Sequence, residues 1–458
     1  MNITGVLSAV FWGLLLLSLL VVVHEAGHFF VARAFGVRVT EFFLGLPCRL
    51  KLSHKSKKRG TEVGVTPLLL GGYNRICGME CTDDDRMPQA FAIVQREGRV
   101  AAEDLAAEMG IEVDEAYTLL VGLSDLAAIR PYYNPELGEK PTQRSYPEAF
   151  ETVARDANLL TEYDKNHDFE AEGFTAGGAP RPLSDPARQL EIEKSHTYAG
   201  CNYPKRLAML FAGPLVNLVL AFVLVVCSYM SMEFQKAVNE NVIGTVAQDS
   251  IAEASGLLAN DKVLSVAGNP TSDWMSVRDA LRAACAAGQD FDVVYERDGA
   301  QATAHIDLPD EGAELIGVEP QYEPYHLTLA EASQDALLYA QTVGSYVARL
   351  IMPQHTMEVL NSSTSVVGIS VMASQAANTS LLDFVALMAA ISMSLGFMNL
   401  LPIPPLDGGK ILIETIGAIR RKPLTLKAQA AIGYVGLAFF LFIFFVVIRN
   451  DVMRFVVG

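Results

Sequence analysis

The sequence is short of cysteine and of basic residues, and each shortage argues against a class of protein. Six cysteines are scattered along 458 residues, so no disulfide framework is indicated. Lys and Arg number 35 against 52 Asp and Glu, which gives a net charge of -17. Because phosphate neutralisation needs an excess of basic residues, this balance argues against nucleic-acid binding as the main activity.

Apolar residues are abundant instead, and a hydrophobic content of 51% is too high for an ordinary soluble enzyme. No small-residue cleavage site follows the first apolar run, which favours a retained span over a signal peptide. Basic residues flank segment 34–206 and lie within 408–428, so the positive-inside rule predicts that both segments are cytosolic and both termini are outside. The stretches long enough to span a bilayer are 6–33, 207–230, 381–401 and 430–447.

An ionisable cluster lies inside the first span, where His24, Glu25 and His28 form a His-Glu-x-x-His motif. Such side chains are costly at membrane depth, so their presence there indicates a function. Residues four apart share one helix face, so His24 and His28 can both reach one metal ion. Glu25 is then placed to accept a proton from the attacking water, as in metalloproteases with this motif. The alternative is that the motif occurs by chance and that its histidines only form hydrogen bonds within a helical bundle.

Two histidines leave a zinc ion short of a tetrahedral set, so a third protein ligand should lie far along the chain. The proline-rich segment 399–409 contains Asp407, the only carboxylate nearby. Prolines interrupt a helix, and irregular backbone at membrane depth is tolerated only where it lines a cavity. Asp407 is therefore the predicted third ligand. Taken alone, the segment could also be a helix exit with Asp407 solvated in a turn.

The paired motifs at 24–28 and 399–408, the second being Asn-x-x-Pro-x-Pro-x-Leu-Asp-Gly, resemble the site-2 intramembrane metalloproteases of the bacterial regulator-of-sigma-E protease type. The resemblance implies that His24, His28 and Asp407 bind zinc and that Glu25 is catalytic. It also implies that Asn399 contacts the substrate backbone.

Gly71, Gly72 and Tyr73 follow an apolar run, and the pattern predicts a β-hairpin that dips toward the metal site. The Leu-Gly-Gly-Tyr segment at 70–73 is similar to the family's membrane re-entrant hairpin, and the segment at 211–217 is similar to the start of its second core helix. An edge strand there could pair with an unwound substrate and present its backbone to the zinc. An ordinary cytosolic hairpin is the alternative.

Residues 233–312 show a pattern of strands around one amphipathic helix that is similar to a PDZ domain, although Asn260 stands where that family usually has Gly. PDZ domains bind extended chains by strand addition, so this one would filter or sense substrates trimmed outside the membrane. A small β-rich domain without a ligand is the alternative.

Residues 82–205 form a predicted cytosolic insert whose part 88–133 resembles a helix-turn-helix or winged-helix fold. The acidic third helix argues against DNA binding and leaves a protein-docking module or a rigid spacer. An irregular linker with at most a short helix at 147–157 is expected to follow. We expect Cys77 and Cys81 to be free thiols rather than metal ligands, since no second pair accompanies them.

The predicted fold class is a polytopic α-helical membrane protein with four transmembrane helices, a re-entrant β-hairpin, one extracytoplasmic α+β PDZ domain and a helical cytosolic insert. The predicted segments are 1–34 (first span), 35–81 (hairpin region), 82–205 (insert), 206–232 (second span), 233–312 (PDZ domain), 313–380 (amphipathic helix and linker), 381–410 (third span), 411–429 (cytosolic loop) and 430–450 (fourth span).

The predicted activity is zinc-dependent endoproteolysis, within the plasma membrane, of single-span proteins already trimmed outside. The family resemblance alone suggests an anti-sigma factor or a leftover signal peptide as substrate. Expected partners are these membrane proteins, the lipid bilayer and a protein that docks on the insert. A catalytically silent PDZ scaffold and a metal transporter are the alternatives. An intact Glu25 argues against the first, and ionisable groups confined to two spans argue against the second.

Overall fold

The structure, a computed structural model, describes residues 3–48, 50–56, 59–69, 71–79, 84–140, 147–170, 172–309, 313, 315–422 and 424–453. Leu70 of the predicted hairpin and Cys81 of the cysteine pair lie outside these ranges. The chain folds as two compact units, one comprising Met1–Val225 with Asp335–Gly458 and the other Val226–Gln334.

The first unit begins with a long helix and a small mixed sheet. These elements are α1 (Ile3–Ala34), β1 (Val39–Leu44), β2 (Leu52–Lys55), β3 (Glu62–Val65) and β4 (Gly72–Ile76). The strand order is β2-β3-β1-β4, with β1 parallel to β3 and antiparallel to β4. Among the described strands, β4 therefore forms an edge of this sheet.

The hairpin predicted around Gly71 and Gly72 is wrong in its strand pairing. Strand β1 lies between β3 and β4, so the two strands that flank the glycines do not pair with each other. Val39 and Phe43 of β1 are fully buried, which agrees with the interior position of this strand between β3 and β4.

The insert belongs to the first unit and combines helices and strands around an apolar core of its own. Its elements are α2 (Met87–Glu97), β5 (Arg99–Ala101), α3 (Ala102–Met109), α4 (Val113–Asp125), β6 (Ile129–Tyr132), β7 (Ala149–Thr152) and α5 (Pro186–Ser195). Its sheet order is β5-β7-β6. The short helix expected at 147–157 is wrong, because Phe150 is buried in the core of the insert and β7 pairs with strands on both sides.

A buried ion-pair cluster joins the insert to the segment that follows α1. Arg38 lies 2.7 Å from Asp164 and 2.6 Å from Glu193. Glu193 also pairs with Arg155, and Asp164 with His196, each at 2.7 Å. Burial alone would raise the pKa of Asp164, but the hydrogen bond from His196 and the guanidinium of Arg38 hold that pKa well below its usual range.

Helix α6 (Tyr203–Ser231) leads to the second unit, which is an α+β body. Its elements are β8 (Phe234–Ala237), β9 (Ile243–Val246), α7 (Ile251–Ala254), β10 (Lys262–Val266), β11 (Asn269–Pro270), α8 (Trp274–Ala287), β12 (Phe291–Arg297), β13 (Ala300–Ile306), β14 (Val318–Pro320) and β15 (Tyr322–Tyr325). Asn260 has a φ of 72°, so it occupies the left-handed conformation that Gly favours and Asn tolerates.

The described chain after β15 is mainly helical, and from Asp335 within α9 onward it belongs to the first unit. It contains α9 (Leu329–Arg349), α10 (Pro353–Ser362), α11 (Val366–Thr379), α12 (Leu381–Asn399), α13 (Asp407–Arg420) and α14 (Leu426–Val452). The prediction of a loop at 411–429 is wrong for residues 411–420, which belong to helix α13. Ile411 packs there against the apolar cluster around Phe29 and Met209.

Helix α11 packs along the N-terminal half of α1, where the hydroxyls of Ser8 and Ser374 lie 2.7 Å apart. The buried carboxylate of Asp451, near the end of α14, accepts hydrogen bonds from the backbone amides of Ser365 at 2.6 Å and Gly368 at 3.3 Å. Asp451 thus satisfies amides at the start of α11 that have no partner within the helix.

Four helices in the described part of the chain are long and apolar enough to cross a membrane: Ile3–Ala34, Tyr203–Ser231, Leu381–Asn399 and Lys427–Asp451. They correspond to the four predicted spans.

Candidate metal centre

Three of the predicted site residues converge at one point. The Nε2 atom of His24 lies 3.0 Å from Oδ2 of Asp407, and that of His28 lies 3.3 Å from the same oxygen. The two Nε2 atoms are 3.2 Å apart. Both histidines are 7% exposed, so the cluster is enclosed by protein.

The sequence around Asp407 allows it to approach the histidines. Asp407 is the first residue of α13, after an irregular segment with three prolines. A Cβ atom on Gly408 would lie 2.2 Å from the carbonyl oxygen of Leu401, and one on Gly409 would lie 2.5 Å from the nitrogen of Pro404. Only glycine therefore permits α13 to begin so close to the preceding backbone.

Helix α6 orients His28. Its Nδ1 atom lies 2.7 Å from the carbonyl oxygen of Met209. A carbonyl oxygen only accepts, so Nδ1 carries the proton and the lone pair of Nε2 points to the cluster. A Cβ atom on Gly213 would lie 2.2 Å from Nε2 of His28, so this position has no room for a side chain. Sequence reasoning did not identify Met209, because a backbone carbonyl carries no residue signature.

Glu25 lies beside strand β4. The Nδ2 atom of Asn74 donates to Oε2 of Glu25 at 2.6 Å and to the carbonyl oxygen of Glu25 at 3.1 Å. A Cβ atom on Gly72 would lie 3.7 Å from Cγ of Glu25. Asn74 was not among the predicted site residues.

The other predicted residues lie around this arrangement. Gly71 lies near Val21, and Tyr73 donates from its hydroxyl to Glu41 at 2.9 Å. Asn399 is the last residue of α12, and no hydrogen bond within the described ranges joins it to the cluster. Cys77 is buried, which raises the pKa of its thiol to about 12.

The donor set fits a divalent metal. One ligand atom from each of His24, His28 and Asp407 lies within 4.8 Å of the others. Two imidazoles and a carboxylate are ligands typical of catalytic zinc, which binds three protein groups and leaves a position for water or substrate. The Nδ1 atom of His24 is buried and has no hydrogen-bond partner among the described residues.

The sequence matches the family model described as Peptidase family M50 over residues 12–443. The chain belongs to peptidase family M50. The matched region contains both motifs of the cluster. This M50 peptidase is thus a zinc metalloprotease, and its membrane-length helices agree with cleavage within the membrane.

Named relatives align over nearly the whole of this M50 peptidase. Zinc metalloprotease RasP of Bacillus licheniformis is 25% identical over 455 residues, which cover 96% of this chain and 98% of the relative. Regulator of sigma-W protease RasP of Bacillus subtilis is 25% identical over 458 residues, covering 96% and 97%. Probable protease eep of Enterococcus faecalis is 27% identical over 452 residues, covering 96% and 98%. The predicted family, metalloprotease activity and zinc cofactor are confirmed.

Proposed function

We propose that His24, His28 and Asp407 hold the zinc ion and that Glu25 is the general base of an intramembrane endopeptidase. The convergence of the three ligand atoms beside the Glu25 carboxylate is the observation that supports this assignment. When bound, zinc supplies a Lewis acid that polarises the scissile carbonyl and acidifies water. Glu25 accepts a proton from the attacking water and delivers it to the leaving nitrogen.

Strand β4 is the proposed docking edge for an unwound substrate, with Gly71, Gly72 and Tyr73 at the site of docking and Asn399 contacting the substrate backbone. The hydroxyl of Ser18 donates to the carbonyl of Leu69, and Asn74 donates to Glu25. Ser18 and Glu25 both belong to the apolar helix α1, which is proposed to cross the membrane. These contacts therefore support a position of the β4 edge at membrane depth. Main-chain pairing along such an edge recognises any extended chain, whatever its side chains.

We further propose that both termini and the second unit face the outside, and that segments 34–206 and 408–428 face the cytosol. The distribution of Lys and Arg supports this orientation. The strand and helix content of the second unit supports a PDZ domain that admits trimmed substrates. The name of the Bacillus subtilis relative, regulator of sigma-W protease, supports a regulator of a sigma factor as one substrate class. We propose remnant signal peptides as a second class.

The insert is proposed to dock a protein or to act as a spacer rather than to bind nucleic acid. Helix α4, the third of its helices, carries Asp114 and Glu115 in its first turn, and these carboxylates would repel phosphate.

The proposed function is tested with detergent-purified protein and a single-span test substrate trimmed on its outer side. We expect cleavage within the span, loss of cleavage on treatment with a zinc chelator, and recovery when zinc is restored, because the metal polarises the scissile carbonyl. The same substrate with a folded outer domain attached serves as the control and should remain intact. Cleavage that persists after the measured zinc content falls to zero would contradict the proposal.

Gly213 offers a test of the ligand assignment that does not depend on cleavage. Gly213→Ala places a methyl group against His28 Nε2, so we expect zinc affinity to fall by about 10–100-fold, as for other groups that orient a ligand. Gly433→Ala is the matched control, since no atom lies within 4 Å of the Cβ it adds in α14. Zinc content is measured by mass spectrometry after dialysis at graded free zinc. Wild-type affinity in Gly213→Ala would argue against His28 as a ligand.

A further inference from the structure

We propose that Asn74 is a positioning residue for the general base, because its side-chain amide holds one carboxylate oxygen of Glu25. This inference rests on the proposed role of Glu25. Asn74 donates from Nδ2 to Oε2 of Glu25 at 2.6 Å and to the Glu25 carbonyl at 3.1 Å. No other side chain among the described residues forms a hydrogen bond with the Glu25 carboxylate, so Oε1 remains available for the proton that Glu25 must accept.

The chemistry of the contact determines which end of the amide faces Glu25. A carboxylate oxygen and a carbonyl oxygen are both acceptors, so only the NH2 group of Asn74 can satisfy both. One NH2 group carries two protons, and each has an acceptor here. The amide thus ties the Glu25 carboxylate to the Glu25 backbone and limits rotation of the glutamate side chain.

The position of Asn74 is in turn set by the sheet. Asn74 lies in the middle of β4, opposite Phe42 in the antiparallel pairing with β1. Successive side chains of a strand point to opposite faces, so Gly72 and Asn74 face α1 while Tyr73 faces away. Tyr73 stacks on Phe43 with ring centroids 5.3 Å apart and donates to Glu41, which fixes the strand from that side.

The other edge of β4 pairs with no strand in the described ranges, and it borders a cavity of about 630 Å³. Tyr73, Asn74 and Arg75 line this cavity from β4, and Lys410 and Glu414 line it from α13. A substrate strand added at this edge would therefore pair with β4, the strand whose Asn74 holds Glu25. The scissile bond of the substrate and the carboxylate of Glu25 would thus both be positioned by β4.

Asn is unfavourable in β-strands, so its presence in β4 needs a compensating role. Its two hydrogen bonds to Glu25 provide one.

The test compares steady-state cleavage of the trimmed test substrate by wild type, Asn74→Leu and Asn74→Gln. Leu has the branching of Asn without its donors, so we expect kcat to fall by about 10–100-fold with KM within about twofold and zinc content unchanged. Asn74→Gln keeps the amide and should restore most of the loss. Ser53→Val is the matched control, because it removes a 2.6 Å hydrogen bond to the Glu62 carboxylate at the opposite edge of the sheet. Its kcat should equal that of wild type.

Substrate affinity separates positioning of the base from direct contact with the substrate. In a Glu25→Gln background the substrate stays intact, and adding Asn74→Leu should leave Kd within about twofold. A weaker Kd would show that Asn74 binds substrate and would overturn the proposal. A wild-type kcat in Asn74→Leu would overturn it as well.

A further variant covers the case in which Asn74→Leu loses zinc or fails to fold. Asn74→Asp keeps the size of the side chain but places a second carboxylate against Oε2 of Glu25, so kcat should again fall, and a wild-type kcat would overturn the proposal. If wild type fails to cleave the trimmed substrate, the proposed endopeptidase function fails, and if Glu25→Gln cleaves it, the proposed role of Glu25 is refuted. Both results are obtained without any Asn74 variant.

Discussion

Glu25→Gln is expected to lower the rate of cleavage by about 10³-fold or more while the zinc content stays at the wild-type level. Gln has the shape of Glu but cannot accept a proton from the attacking water. Glu25 is not one of the three residues whose ligand atoms converge, so its replacement leaves His24, His28 and Asp407 in place. The rate is measured with enzyme in excess over the trimmed single-span substrate, and zinc is measured by mass spectrometry on the same samples.

Glu97→Gln is the matched control for this prediction. Its carboxylate lies on the surface of the insert beside Arg96, so the same chemical change should leave the rate unaltered. Substantial cleavage by Glu25→Gln at full zinc occupancy would require another base and would remove the central role given to Glu25.

Arg38→Met is expected to lower the free energy of unfolding by about 3–5 kcal/mol, because it removes the guanidinium shared by two buried carboxylates. Among the described residues, Glu193 then keeps only Arg155 as an ion-pair partner, and Asp164 keeps only His196. Arg38 is 1% exposed and contacts both Asp164 and Glu193 within 2.7 Å. Met fills a similar volume, so the loss comes from charge rather than from a cavity. Unfolding is followed by denaturant titration in detergent, using the protease sensitivity of the insert as the signal.

Arg96→Met is the corresponding change at an exposed ion pair with Glu108, and it should alter stability little. If Arg38→Met were as stable as wild type, Arg155 and His196 alone would be sufficient to compensate the buried carboxylates of Glu193 and Asp164.

Local patterns were sufficient to predict that His24, His28 and Asp407 converge and that the chain has four apolar helices. His24 and His28 share one helix face by their spacing alone, and Asp407 is the only carboxylate in a segment that cannot be a regular helix. The helix beginning at Asp407 was not predicted, because Pro404 and Pro405 just before it, together with the basic residues that follow, are typical of a loop.

Contacts between distant segments could not be predicted in the same way. The position of β1 between β3 and β4 depends on the burial of Val39 and Phe43, and alternation within each strand is compatible with several strand orders. Asn74 shows the same limit, because it lies 49 residues from Glu25 and carries no motif of its own. Residue type and spacing thus predicted which side chains lie together in the cluster, whereas the residues that contact these side chains became visible only from the packing.

The contact of Asp451 with α11 has a practical consequence for handling this enzyme. Its carboxylate accepts from the amides of Ser365 and Gly368, and the helix that these amides begin packs along α1, which carries His24 and His28. A truncation that removes Asp451 would leave these two buried amides without a hydrogen-bond acceptor. A purification tag fused at the C-terminal end should therefore follow Asp451 after a flexible spacer, so that the last turn of α14 stays intact.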